Sequence, residues 1–169
     1  MTDWYIALPV TILLIVLSAF FVIIEFSLLA VRRNRLEETA ETSASSRAAL
    51  RSLNELTLML AGAQLGITVC TFALGAITKP WVHDALMPAF EAVGIPLTVA
   101  DVIAFILALF IVTFLHLVIG EMAPKSWAIA HPESAVRAIA LPARGFINVF
   151  RPLLAWINRV ANRLVEATG

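Results

Sequence analysis

The residues best equipped for chemistry are carboxylates set in apolar surroundings. Val118-Ile119-Gly120-Glu121-Met122-Ala123-Pro124-Lys125 closes a long apolar run with a glycine, a carboxylate, a helix-breaking proline and a lysine. Ionisable groups at the edge of hydrocarbon are costly and usually functional. Pro124 has no N–H, so a carbonyl in the preceding turn loses its helical partner. A carbonyl and a carboxylate together offer a cation site. A helix stop with a snorkelling Lys125 accounts for the same residues equally well.

Two further acceptors fall at comparable depth. At a helical rise of ~1.5 Å per residue, Glu25 sits ~10 Å inside the charged edge that begins at Arg32, and Gln64 ~13 Å in from Glu55. Glu121 lies about one turn before Lys125. Ser27 and Thr68 share that level. No Lys or Arg stands within the three apolar runs, so a metal ion or a proton is the expected counter-charge for these carboxylates. Oxygen ligands from carboxylate, amide, hydroxyl and carbonyl suit a hard ion such as Mg²⁺ rather than zinc or copper. No nucleophile, nucleotide loop or hydrolase-type metal cluster is evident, so enzyme chemistry has no support and nothing addresses nucleic acid. The single Cys excludes an internal disulfide framework and a thiolate cluster.

The elements that must carry these groups follow from composition. Of 169 residues, 60% are hydrophobic and 14% charged, with a mean hydropathy of +0.90, which points to an all-α membrane protein. Three transmembrane helices are predicted, over about 4–31, 56–78 and 99–122, each able to cross ~30 Å of hydrocarbon. The first carries no charge between Asp3 and Glu25, and Trp4 and Tyr5 suit an interfacial anchor. It lacks the basic start and cleavage site of a signal peptide. Residues 32–54 read as two short juxtamembrane helices around a polar turn, with a plain solvated loop as the alternative. The second span holds Gly62-x-x-x-Gly66, a close-packing pattern, and local unwinding there would suit a transport site. It is also the span expected to make a dimer contact. Residues 79–98, with Pro80, Pro88, Gly94 and Pro96, read as a loop containing a short helix. The third span opens at Asp101 and carries His116 near its exit, either a proton carrier or, preferably, a hydrogen-bonded packing residue. Over 133–167 apolar residues recur at helical spacing opposite an Arg-rich face, predicting an amphipathic belt helix that Pro142 and Pro152 break into pieces. Among Lys and Arg only Lys79 lies between the second and third spans, so the positive-inside rule sets the N-terminus outside and the C-terminus in the cytosol.

At Gly120-Glu121-x-x-Pro124-Lys125 the sequence resembles the membrane domain of the CNNM/CorC family of Mg²⁺ transporters. Glu25-Phe26-Ser27-Leu28 followed by Val31-Arg32-Arg33-Asn34-Arg35-Leu36-Glu37 resembles the end of that family's first span. Gln64-Leu65-Gly66-Ile67-Thr68 is similar to its second span, and His131-Pro132-Glu133 follows in register. The resemblance covers nearly the whole chain as one membrane domain of the cell membrane. It implies a homodimer in the lipid bilayer and a Mg²⁺ site between the spans, with Na⁺-coupled export by alternating access. Glu121 and Glu25 take the family's acidic positions, Gln64, Ser27 and Gly120 complete the expected ligand set, and Pro124 and Lys125 shape the turn. A cytosolic pair of nucleotide-sensing CBS domains is implied in the full-length protein, beyond the 169 residues here. Two departures stand out. Val22, Ile23 and Ile24 occupy positions where relatives have small hydroxyl residues, and Gln64-Leu65 stands where many have Asn. Either change removes a candidate Mg²⁺ ligand, which leaves another cation open. Two other readings also compete: export of an organic cation such as a polyamine, and a membrane scaffold whose buried polar groups specify packing.

Overall fold

The computed structural model describes residues 4–169, so Asp3, which bounds the first apolar run in the sequence, lies outside the described residues. Among these residues every regular element is helical. Three runs are long and apolar enough to cross a membrane: Trp4–Ala30, Leu56–Ala92 and Leu97–Ala130.

The first run is α1 (Trp4–Ala30). Its 27 residues extend ~40 Å, more than the hydrocarbon thickness. Two short helices follow, α2 (Arg33–Thr39) and α3 (Ala44–Asn54). Ser43 caps α3, its side chain accepting the Ser46 N–H at 3.2 Å, one of the donors that the helix start leaves without a partner.

The second run comprises α4 (Leu56–Ala73), a π-helical segment over Leu74–Thr78, and α5 (Lys79–Ala92). Two expectations are corrected here. The Gly62–Gly66 stretch is regular α-helix, not unwound, and the departure from α geometry comes later, at Leu74–Thr78. The stretch expected as a loop is mostly helix. Pro80 stands in the first turn of α5, where a missing N–H costs little. The chain reverses instead at Gly94, whose φ of +88° is open to glycine and strained for other residues.

The third run comprises α6 (Leu97–Leu115), a π-helical segment over His116–Met122, and α7 (Ala123–Ala130). It is followed by α8 (Pro132–Thr168), a single 37-residue helix that contains Pro142 and Pro152. The expected break does not occur. Each proline removes one backbone bond, but Val136, Ile139, Ala143, Ile147 and Leu154, spaced three, four or seven apart, are buried along one face. Packing along that face outweighs the local preference.

The chain forms two compact units. The first gathers the chain up to Ala19 with Ile67–Ala123. Here α5 packs on α6. Ala100, Ala104, Ala108 and Val112 are buried while Phe105, Leu109, Phe110 and Phe114 are exposed, small residues inward and large apolar ones outward, as a lipid-facing helix requires. Thr11 and Thr78 share a hydroxyl–hydroxyl bond of 2.6 Å. His83 joins α5 to α6 through a 2.7 Å bond between its Nε2 and Asp101 Oδ1.

The second unit gathers Phe20–Gly66 with Pro124–Gly169. Helix α3 packs on both α2 and α8. Both glycines of the second-span pattern are occupied inside this unit. A Cβ on Gly62 would meet Ile147 and Leu154, and one on Gly66 would run into the Phe21 ring. The close approach that small residues permit is therefore used within the chain, and the glycines do not identify a dimer contact.

Candidate functional site

One set of polar groups in the first unit collects where a row that begins on α6 ends, in the π-helical segment. Ala100, Ala104, Ala108 and Val112 recur every fourth residue, and the same spacing continues through His116 and Gly120. Both of these last positions are buried, and they lie within the π-helical segment. The row brings an imidazole over a residue without a side chain. A Cβ on Gly120 would stand 2.8 Å from His116 Cδ2, so glycine is what lets the ring lie there.

Ser18, fully buried on α1, meets both residues. Its Oγ is 2.9 Å from His116 Nε2 and donates to the Gly120 carbonyl at 3.3 Å. That carbonyl is the one to which residue 124 would donate in a regular helix, and Pro124 has no N–H to give. The Ser18 hydroxyl supplies that carbonyl with a donor from α1. Ser18 has a single proton, so with that proton on Gly120 the contact to His116 is made by Nε2–H donating to Ser18 Oγ. Glu121 completes the group: its Oε1 lies 3.9 Å from His116 Nε2, with its side chain 30% exposed against 10% for the histidine.

Glu25, Ser27, Gln64, Pro124 and Lys125 belong to the second unit. Glu25 is half-buried on α1, and the Nζ of Lys125 stands 4.8 Å from the centroid of the neighbouring Phe26 ring. Ser27 is buried, but its hydroxyl turns onto its own helix, donating to Ile24 O at 3.5 Å. Gln64 lies on the exposed side of α4, as does Thr68 further along it. Val22 and Ile24 are core residues, which accounts for their apolar side chains.

Of the expected ligands, the first unit therefore brings Gly120 and Glu121 together and adds Ser18 and His116. Ser18 was missed, although a signal existed. Thr11, Ser18 and Glu25 stand seven apart in an otherwise apolar helix, marking one polar face. A cavity of about 470 Å³ in the first unit lies further back along α6 beside Lys79, His83 and Phe105, and none of the expected ligands lines it. No group of three or more His, Cys, Asp and Glu residues suited to a metal occurs among the described residues. Any cation site on this chain therefore depends on hydroxyl, amide or carbonyl oxygens as well.

Outside the spans, Glu55 is held between Arg151 at 3.0 Å and Arg144 at 3.2 Å. The hydrogen bond from Arg151, reinforced by Arg144, keeps its carboxyl below the usual carboxylate range against a smaller desolvation effect.

Residues 9–169 match the family described as the cyclin M (CNNM) transmembrane N-terminal domain. The chain is 37% identical over 164 residues to the uncharacterized protein Rv1841c of Mycobacterium tuberculosis, covering 96% of this chain and 46% of that protein. Identity to the UPF0053 protein YhdT of Bacillus subtilis is 39% over 154 residues, covering 90% and 33% respectively. For YhdP of the same organism it is 35% over 157 residues, covering 92% and 35%. The chain spans between a third and a half of the length of these relatives.

Proposed function

The chain belongs to the CNNM transmembrane family, a family of membrane transporters, and on that premise we propose that it exports divalent cations, Mg²⁺ in the first instance, in exchange for Na⁺. The observation that carries this reading is the group around Glu121. A carboxylate, a hydroxyl and a backbone carbonyl that accepts from that hydroxyl are gathered within the long apolar runs. Intramembrane groups of this kind mark ion pathways by default. Irregular backbone at such depth is tolerated where it lines a site, and π-helical turns concentrate at functional positions.

The cation is the cargo. Glu121 supplies the charge, while the Gly120 carbonyl and Ser18 hydroxyl replace part of the hydration shell. Na⁺ competes for the same oxygens when its gradient favours exchange. Alternating access exposes the Glu121 group first to one side and then to the other, with the N-terminus outside and the Arg-rich elements in the cytosol. Two copies pair in the bilayer, and α8 lies along its cytoplasmic face. The full-length protein adds cytosolic CBS domains that regulate the cycle.

The test is Mg²⁺ flux in proteoliposomes under an imposed Na⁺ gradient, comparing the native chain with Glu121→Ala. Flux that is lost in the variant, with the protein still monodisperse, supports the proposal. Equal flux from both refutes the role of Glu121. Block of Mg²⁺ flux by a polyamine that is itself transported would move the substrate to the organic cations.

A further inference from the structure

The cavity of about 470 Å³ in the first unit is built from residues that the Glu121 group does not use. Gly75, Lys79, Pro80 and His83 line it from the second run, and Phe105 and Leu109 from α6. Its wall is apolar apart from Lys79 and His83, and its volume falls within the ~300–1,000 Å³ common for ligand cavities. Phe105 and Leu109 are also exposed on the lipid-facing side of α6. The cavity is therefore reached sideways, from the bilayer.

Lys79 is the only Lys or Arg between Arg51 and Lys125. A lysine at the edge of hydrocarbon ordinarily extends its ammonium to water. This one turns back. A Cβ on Gly75 would stand 3.9 Å from Lys79 Nζ, which places the ammonium over Gly75, one turn towards the apolar part of the run. Gly75 has no side chain to fill that space. The imidazole of His83 is committed elsewhere, its Nε2 2.7 Å from Asp101 Oδ1 and its Nδ1 3.1 Å from Asp84 Oδ1. Among the described residues Lys79 forms no ion pair.

A positive charge beside an apolar cavity that opens to lipid fits an amphiphile with one negative charge. We propose that the cavity holds an anionic phospholipid, its phosphodiester on Lys79 Nζ and the start of one acyl chain against Phe105 and Leu109. A soluble anion would match the ammonium but leave the apolar wall uncovered. A zwitterionic lipid brings its own cation to the phosphate and gains less from Lys79. The bound lipid ties α5 to α6 beside the His83–Asp101 bond and stabilises the pair by mass action. Its binding does not depend on what Glu121 holds.

The experiment uses the purified chain in nanodiscs of phosphatidylcholine that contain a little phosphatidylglycerol with a diazirine near the head of one acyl chain. Irradiation and peptide mass spectrometry should place label on α5 and on residues 105–109 of α6. The same probe with a phosphatidylcholine head should label them about fivefold less, the factor that one lysine near a membrane surface supplies. Lys79→Gln should bring the phosphatidylglycerol label down to that lower level. Gly75→Leu, whose side chain enters the cavity, should reduce label from both probes. Label on the Arg-rich α8 is the internal control and should stay constant in both variants. Equal labelling of residues 105–109 by the two probes in the native protein overturns the proposal and needs no variant to fold. So does label confined to α8, or label on α6 that both variants leave unchanged. Inorganic phosphate should not displace the probe; displacement would assign the cavity to a soluble anion and overturn the lipid.

Discussion

The substitution Gly120→Ala tests whether the α6 row has the close packing on which the Glu121 group depends. The added methyl would sit 2.8 Å from His116 Cδ2 and 3.5 Å from both His116 Nε2 and Ser18 Oγ. The ring cannot swing aside freely, because it is buried and bonded to Ser18. Overpacking of this kind costs about 1–3 kcal/mol, and a strained or lost Ser18–His116 bond about 1 kcal/mol more. The gain from replacing glycine by alanine within a helix is at most about 1 kcal/mol. The net effect is destabilisation of about 1–3 kcal/mol. For a chain of this size that lowers the midpoint of thermal unfolding by roughly 2–10 °C. The assay is a melt in detergent followed by circular dichroism, with Gly145→Ala as the control. A Cβ at Gly145 meets nothing within 4 Å, so the same chemical change in α8 should stabilise by up to about 1 kcal/mol. If Gly120→Ala melts at or above the native temperature, the ring is not where the argument needs it.

Three further outcomes follow from the packing and charges described. Glu55→Gln removes the charge that pairs with Arg151 and Arg144, a partly exposed pair of contacts worth on the order of 1 kcal/mol after solvent screening. Because the folded carboxyl ionises below its ordinary value of 4.5, this stability is present above that pH and is lost as pH falls through the folded value. The variant should therefore melt lower than the native chain at pH 7, by a margin that narrows as the pH is taken below 4.5. A gap that does not narrow on acidification contradicts the ionic origin. Pro124→Ala offers an N–H to the Gly120 carbonyl and competes with Ser18 for it. Thermal stability should hold or rise while stabilisation by added divalent cation shrinks, as a ligand titration of the melt would show. Unchanged ion-induced stabilisation would remove the carbonyl from the site. Lys125→Met removes the cation that stands over the Phe26 ring and should cost about 0.5–1 kcal/mol. In a double-mutant cycle with Phe26→Leu the two losses should be less than additive, and strict additivity would mean that Lys125 does not act through the ring.

How much of this was legible in the sequence depends on what each feature required. The spans were legible because hydrocarbon imposes a length and an apolar composition that few other environments demand. The Glu121 element was legible for a similar reason: a carboxylate, a proline and a lysine end an apolar run with little ambiguity. Ser18 was not. A serine in an apolar helix is common, and what makes it a member of the site is a partner in the π-helical segment after α6, 98 positions away, that no local pattern supplies. The glycines of α4 misled in the opposite direction. Their spacing announces a close approach without saying what approaches, and the occupants proved to be Phe21, Ile147 and Leu154 of the same chain. Proline misled too. Pro142 and Pro152 were expected to break α8, and local preference argues for that, but a buried face of well-spaced apolar residues keeps the helix whole. Pro124, by contrast, does act through its missing N–H, because there a hydroxyl on another helix stands ready to use the carbonyl it frees. The same residue type thus has opposite consequences, and the difference lies in what stands opposite the broken bond.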